Sequence, residues 1–438
     1  MSVHPRTAGL VLSGGGVRGA YEAGVLCGIV DVLGLSAEDE APFRVFAGTS
    51  VGAINAAFLA AHADRGDLGA EDLARIWQEL DIDEHFRIHP RGILGARRRR
   101  WFSEKALQRD TPMQLGRSLL DPRPLDKLVR DSIPWERLNA NVDAGRVRAL
   151  VVTALEIAHG RTTMFSQLAP DGVFYPSRDP RRIVSAEVIT ADHVLASAAI
   201  PVVFPARKVG TRYYCDGGLR FNTPISPAIR TGADRLVVVS LRRAFLTEES
   251  YAQDPDHTPA YPSLFFLLGK LVNALLLDPF AYDLEVLARL NRVMEVLEDT
   301  LPAEEMERVR EVLVDARGMG YRRIDTLLFT PSIDIGALAR DYITERLDRD
   351  RLGWTQRWFL DQAAKSTLGG EADLASYFLF DGDFAAELIE LGRQDVFARA
   401  GEVRAFFRSK LESSTGAVSP SDIVTDPEAS AETDIVPA

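Results

Sequence analysis

Residues 43–63 read FRVFAGTSVGAINAAFLAAHA, and this stretch decides the fold. Phe43–Ala47 is a short apolar run of strand composition. Val51–Ala63 is rich in alanine and other helix-compatible apolar residues. Between them lies Gly48-Thr49-Ser50-Val51-Gly52, a G-x-S-x-G sequence. Strand, tight turn and helix in this order form the nucleophile-elbow arrangement. Gly48 and Gly52 allow a tight turn with closely packed flanking backbone. The turn lifts the Ser50 hydroxyl clear of the sheet, above a helix N-terminus. The pentapeptide alone also occurs in plain glycine turns. Its place between strand and helix gives Ser50 its reading as a nucleophile.

The same alternation extends in both directions. Ala8–Ser13 reads as a strand and Arg18–Leu33 as a helix. Val147–Leu155 and Leu236–Ser240 are continuous β-branched runs, as in strands buried on both faces. Alternation over the first 245 residues predicts an α/β fold with a mostly parallel sheet. From residue 262 the texture becomes helical. Leu264–Leu277, Asp283–Glu298, Pro302–Ala316, Trp354–Lys365 and Asp395–Leu411 read as helices, with one strand-like run at Thr326–Thr330. Val286, Leu290, Val293 and Leu297 mark the expected apolar stripe of the second of these. Residues 262–411 therefore read as a largely helical addition packed on the core. Ser413–Ala438 holds Ser, Thr, Pro, Ala and acid with no Lys or Arg, the composition of a disordered acidic tail over 412–438.

Composition narrows the function. The 438 residues carry 51 Lys+Arg against 63 Asp+Glu, a net charge of −12. An acidic chain lacks the basic face that general nucleic-acid binding needs. Two cysteines, Cys27 and Cys215, make no disulfide framework, and no Cys/His cluster has structural-zinc spacing. The N-terminus has no signal-peptide pattern. The longest apolar stretch, Leu264–Leu277, is 14 residues long and too short to span a bilayer. These features predict a cytoplasmic protein.

Two further blocks carry chemistry. Gly14-Gly15-Gly16-Val17-Arg18-Gly19 lies at a strand-to-helix transition, where a glycine run exposes backbone N–H groups at the positive end of a helix. Such a nest suits a nucleotide phosphate or the oxyanion of an acyl transfer. A dinucleotide fingerprint on Gly14, Gly16 and Gly19 would need an acid at Glu38 or Asp39, which sit in a polar loop and fit poorly. No Gly-Lys-Ser/Thr follows, which excludes a P-loop. Asp216-Gly217-Gly218 follows the strand-like Arg212–Cys215. It places a carboxylate where backbones approach closely, though an Asp-Gly turn alone would give the same letters.

In combination, order and spacing, these three blocks resemble those of the patatin-like phospholipases. Ala196-Ser197-Ala198-Ala199-Ile200-Pro201 and Asn222-Thr223-Pro224-Ile225 also resemble family segments. The resemblance covers roughly residues 6–245. Phe329–Ala339 and Tyr377–Leu391 look like the C-terminal extension of one bacterial branch. The resemblance implies a three-layer α/β/α patatin-like fold for a 6–245 catalytic domain. It also implies a Ser–Asp dyad, with Ser50 as nucleophile and Asp216 as base. An oxyanion hole would form around Gly14, Gly15, Gly16 and Arg18, with Arg18 holding either the loop or the anion. Gly48 and Gly52 would shape the elbow, and Gly217 and Gly218 would support the aspartate. The implied reaction is metal-independent, cofactor-free hydrolysis of phospholipid or lysophospholipid acyl esters through an acyl-enzyme.

Three rivals share parts of this reading. Acyl transfer to an alcohol uses the same residues. A lipid-binding regulatory protein would carry a relict site. A Ser–Asp–His triad would need His257, the one histidine after Asp216, which sits in a polar, proline-bounded loop. His193 precedes the aspartate, so no catalytic histidine is expected. Two segments suit peripheral membrane contact: Arg97, Arg98, Arg99 and Arg100 with Trp101 and Phe102, and the Leu264–Leu277 helix. That helix serves equally as a core or dimer helix, which leaves a homo-oligomer open.

Overall fold

The computed structural model describes residues 7–85, 118, 120–201, 203–242, 280–317, 319–320, 323–348, 353 and 375–408. The Arg97–Phe102 cluster, His257, Leu264–Leu277, Trp354–Lys365 and the 412–438 tail lie outside the described residues.

The strands are β1 (Ala8–Leu12), β2 (Val45–Thr49), β3 (Ala149–Glu156), β4 (Arg161–Leu168), β5 (Arg182–Ala186), β6 (Arg207–Val209), β7 (Arg212–Asp216), β8 (Arg235–Val239) and β9 (Asp325–Phe329). The helices are α1 (Gly19–Leu33), α2 (Val51–Ala61), α3 (Ala70–Gln78), α4 (Ile82–His85), α5 (Arg123–Ser132), α6 (Trp135–Asp143) and α7 (Ala191–Ser197). They continue with α8 (Ile225–Arg230), α9 (Phe280–Thr300), α10 (Ala303–Arg317), α11 (Ile335–Glu345), α12 (Gly382–Ala398) and α13 (Ala400–Arg408). Among the described residues, all nine strands form one sheet, with a main path β5-β4-β3-β2-β1-β8-β9. From β3 to β9 the neighbours along that path are parallel. The β3–β4, β3–β7 and β6–β7 pairings are antiparallel.

The continuous apolar runs have a simple cause. Side chains alternate across the sheet, and both faces are covered. Leu10, Leu12, Phe46, Leu150, Val152, Val237 and Val239 belong to one buried cluster with α1, α2 and α12. Val11, Val45, Ala47, Val151, Leu236 and Val238 belong to a second cluster with α8 and α9. The result is the expected three-layer arrangement.

The part beyond residue 262 is more than an addition. β9 extends the central sheet as the parallel neighbour of β8. α12 lies along α1 so closely that a Cβ on Gly24 would stand 2.0 Å from the Ile389 carbonyl oxygen. Two expectations for this part change. The stretch expected as one helix from Asp395 is the end of α12 and then α13, separated at Arg399. The buried stripe of α9 is also displaced. Leu287 and Met294 are buried, while Val286 and Val293 are 39% and 50% exposed. Asn291, on the Leu287–Met294 face, donates to the Ile324 carbonyl at 2.9 Å. A polar anchor thus sets the helix rotation, and a count of apolar residues overlooks it. No helix among the described residues is long and apolar enough to cross a membrane.

Candidate active site

The site forms where two strands meet end to end along a third. β2 runs parallel to β3 and reaches Thr153 through Thr49. β7 runs antiparallel to β3 from the opposite direction and reaches Ala154 through Asp216. Two residues distant in sequence, Ser50 and Asp216, are therefore delivered to adjacent positions on one strand. Ser50 Oγ donates to Asp216 Oδ2 at 2.6 Å. The other carboxylate oxygen, Oδ1, accepts the Gly218 N–H at 2.7 Å.

Ser50 has φ 55° and ψ −125°, a strained conformation for a residue with a side chain. The surroundings enforce it. A Cβ on Gly48 would stand 2.2 Å from the Gly52 carbonyl oxygen, and one on Gly52 would stand 2.4 Å from the Leu12 carbonyl oxygen. The Ser50 N–H donates to Ser197 Oγ at 2.8 Å, and that hydroxyl donates to the Thr153 carbonyl at 2.6 Å. Thr49 Oγ1 lies 2.5 Å from Thr153 Oγ1 and bonds the Phe221 carbonyl. Ser197 gives the otherwise ordinary Ala196–Pro201 segment a clear structural task.

Asp216 is fully buried. Burial pushes its carboxyl from the ordinary 3.8 up to about 7, against the hydrogen bonds from Ser50 and Gly218. The neighbouring Cys215 thiol rises to about 11 through burial and the Asp216 charge. In this site Ser50 and Asp216 hydrogen-bond to Ser197, to Gly218 and to each other. His193 instead closes the capping box of α7 with Thr190.

The glycine block lies beside the serine. A Cβ on Gly14 would be 3.0 Å from the Ser50 Cβ. The Gly14 N–H is engaged by Asn222 Oδ1 at 3.1 Å, and Asn222 Nδ2 returns a bond to the Gly14 carbonyl at 3.1 Å. Ser13 Oγ ties the same loop to Thr223 and to the Val239 carbonyl, both at 2.9 Å. The N–H groups of Gly15 and Gly16 make no hydrogen bond among the described residues. Gly16 lines the same pocket as Ser50. Arg18 is buried, and its Nε and Nη2 donate to Ser376 Oγ at 2.8 and 2.6 Å. Its guanidinium lies 4.3 Å from the Tyr377 ring centre. Of the two roles considered for Arg18, these contacts suit holding the loop rather than an anion.

Beneath the loop, fully buried Glu22 accepts the Asn55 amide at 2.8 Å, and Trp77 Nε1 donates to Asn55 Oδ1 at 3.2 Å. Burial drives the Glu22 carboxyl well above its usual range, opposed by hydrogen bonds from Asn55 and the Ser13 backbone. A pocket opens from Ser50 between α2, α3 and α5. Its walls include Ile54, Phe58, Leu73, Trp77, Leu125 and Leu128, and the 377–380 segment closes another side. Its lining is predominantly apolar. Among the described residues, no group of three or more His, Cys, Asp or Glu side chains could hold a metal ion.

A model of the patatin-like phospholipase family matches residues 10–229. A cGAMP-activated phospholipase of Pseudomonas aeruginosa is 28% identical over 216 residues, or 49% of this chain and 53% of that protein. The chain thus spans about half the length of this curated relative. Among solved structures it is similar to human GIVD cytosolic phospholipase A2 in complex with methyl gamma-linolenyl fluorophosphonate, at 14% identity and TM-score 0.37. That alignment covers 92% of this chain and 59% of the other. It is also similar to VipD from Legionella pneumophila, at 15% identity and TM-score 0.34, covering 88% and 67%. The family match takes in half of the chain and all three motif blocks, and the chain belongs to the patatin-like phospholipase family.

Proposed function

We propose that this chain hydrolyses fatty-acyl esters of phospholipids or lysophospholipids with Ser50 as nucleophile and Asp216 as its general base. One observation carries the reading: the 2.6 Å hydrogen bond from Ser50 Oγ, on the wall of an apolar pocket, to a buried aspartate. A carboxylate near 4 is a poor base at neutral pH. Burial brings Asp216 to about 7, the range that suits general-base work. Asp216 takes the Ser50 proton as Oγ attacks the ester carbonyl. The carbonyl oxygen becomes an anion beside the Gly15 and Gly16 N–H groups. Collapse expels the alcohol, which receives the proton from Asp216. Water, deprotonated by the same carboxylate, then attacks the acyl-enzyme, and Asp216 returns the proton to Ser50 Oγ as the fatty acid leaves. The apolar pocket takes the acyl chain.

The test is fatty-acid release from mixed phospholipid and lysophospholipid micelles, with EDTA present. Wild type is expected to release fatty acid. Ser50→Ala and Asp216→Asn are expected to fall by about 10³-fold or more. A folded wild type that neither releases fatty acid nor reacts with a fluorophosphonate would overturn the proposal.

A further inference from the structure

We infer that Ser376, far outside the 10–229 family match, is a positioning residue for the oxyanion loop, acting through Arg18. The inference rests on the acyl-hydrolase reading above and assigns a part of its site to the C-terminal region. Arg18 closes the 3₁₀ turn Gly16–Arg18 that follows the glycine run, and its N–H donates to the Gly15 carbonyl at 3.3 Å. Whatever fixes Arg18 therefore fixes the peptide units of Gly15 and Gly16. Its guanidinium is held by two N–H bonds converging on one hydroxyl, Ser376 Oγ, by a longer bond from Nη1 to the Leu241 carbonyl at 3.4 Å, and by the Tyr377 ring face. Ser376 and Tyr377 are fully buried and Arg18 nearly so.

The same segment also bears on the loop directly. Gly16 has φ +61°, and a Cβ there would stand 2.2 Å from the Tyr377 carbonyl oxygen. Tyr377, Phe378 and Phe380 form part of the pocket wall that begins at Ser50. One strand of sequence thus clamps the donors of the anion and bounds the space for the acyl chain. A donor displaced by a fraction of an ångström loses its grip on a developing anion while ground-state binding in an apolar pocket barely changes. Loss of the Ser376 hydroxyl should therefore appear in kcat and leave KM nearly unchanged.

The experiment compares wild type, Ser376→Ala, Ser376→Thr, Arg18→Lys and the Arg18→Lys/Ser376→Ala double variant. Each is assayed on a soluble p-nitrophenyl acyl ester, with active sites counted by fluorophosphonate titration. Ser376→Ala is expected to lose on the order of 10- to 100-fold in kcat per titrated site, with KM within about twofold. Ser376→Thr keeps the acceptor oxygen and is expected to restore most of kcat. The double variant should be no slower than the slower single variant, because both act through one contact. A Ser376→Ala enzyme with normal kcat per titrated site and only a lower melting temperature would overturn the inference. If wild type neither hydrolyses nor labels, the acyl-hydrolase reading fails. Hydrogen exchange then decides the clamp: faster exchange at the hydrogen-bonded Gly14 and Arg18 amides in Ser376→Ala, with Gly48–Gly52 unchanged, supports it, and unchanged exchange at both rejects it.

Discussion

Ser50 holds its side chain in backbone geometry that glycine tolerates better. Ser50→Ala removes the hydroxyl and keeps the strain, whereas Ser50→Gly removes both. The glycine variant is therefore expected to be more stable than the alanine variant by about 1–3 kcal/mol, measured as a difference in denaturant midpoint. Equal stability would mean that the elbow relaxes without cost. Asp216 makes a parallel sacrifice. Its pKa is higher in the folded chain than in the unfolded chain, so the folded state holds the proton more tightly. This contribution to stability is complete below about pH 4 and is lost as the pH rises through about 7. A rise from 3.8 to about 7 corresponds to roughly 4 kcal/mol missing at alkaline pH. Asp216→Asn should therefore melt higher than wild type at pH 8–9, with the gap closing toward pH 4. Wild-type kcat/KM should rise with pH through about 7, and a flat profile between pH 5 and 9 would rule out Asp216 as the titrating base.

Adjacent elements explain how much of this was readable. β2, its elbow and α2 were legible because strand, glycine turn and small-residue helix are local patterns. The end-to-end meeting of β2 and β7 on β3 was not legible, since register is a tertiary property. Nor were the tasks of Ser197 and Asn222: their segments stood out by resemblance, but only the folded loop shows that they hold the Ser50 and Gly14 backbones. Ser376 carried no signal at all, because its partner is Arg18, 358 positions away. The α1–α12 seam depends on absent side chains. Gly24 and Gly28 face Ile389 and Val396, and Gly392 faces the Tyr21 carbonyl. Gly24→Ala would press a methyl into backbone and is expected to destabilise by about 1–3 kcal/mol. A shift in the denaturant midpoint would measure it, and an unchanged midpoint would show that the seam can open.

For the molecule as a whole, the sheet crosses the boundary that the motifs suggest. All three motif blocks end before residue 245, yet β9 completes the β8 edge and α12 covers α1. A chain cut after Phe245 bares an apolar edge strand and one face of a mostly buried helix. It is expected to aggregate or to lack a cooperative melt, as read by size-exclusion chromatography and calorimetry. A soluble, cooperatively melting fragment would show that the motif-bearing half folds alone. The bond between Arg18 and Ser376 also has a consequence in time. At synthesis rates of about 5–20 residues per second, the 358 positions between them take at least about 18 s to translate. Over the last 160 of those positions, from Asp216 to Ser376, the nucleophile, the aspartate and the glycine run all exist, while the contact that secures the run has yet to emerge from the ribosome. On the proposed reading, the site is complete only once synthesis has passed Ser376.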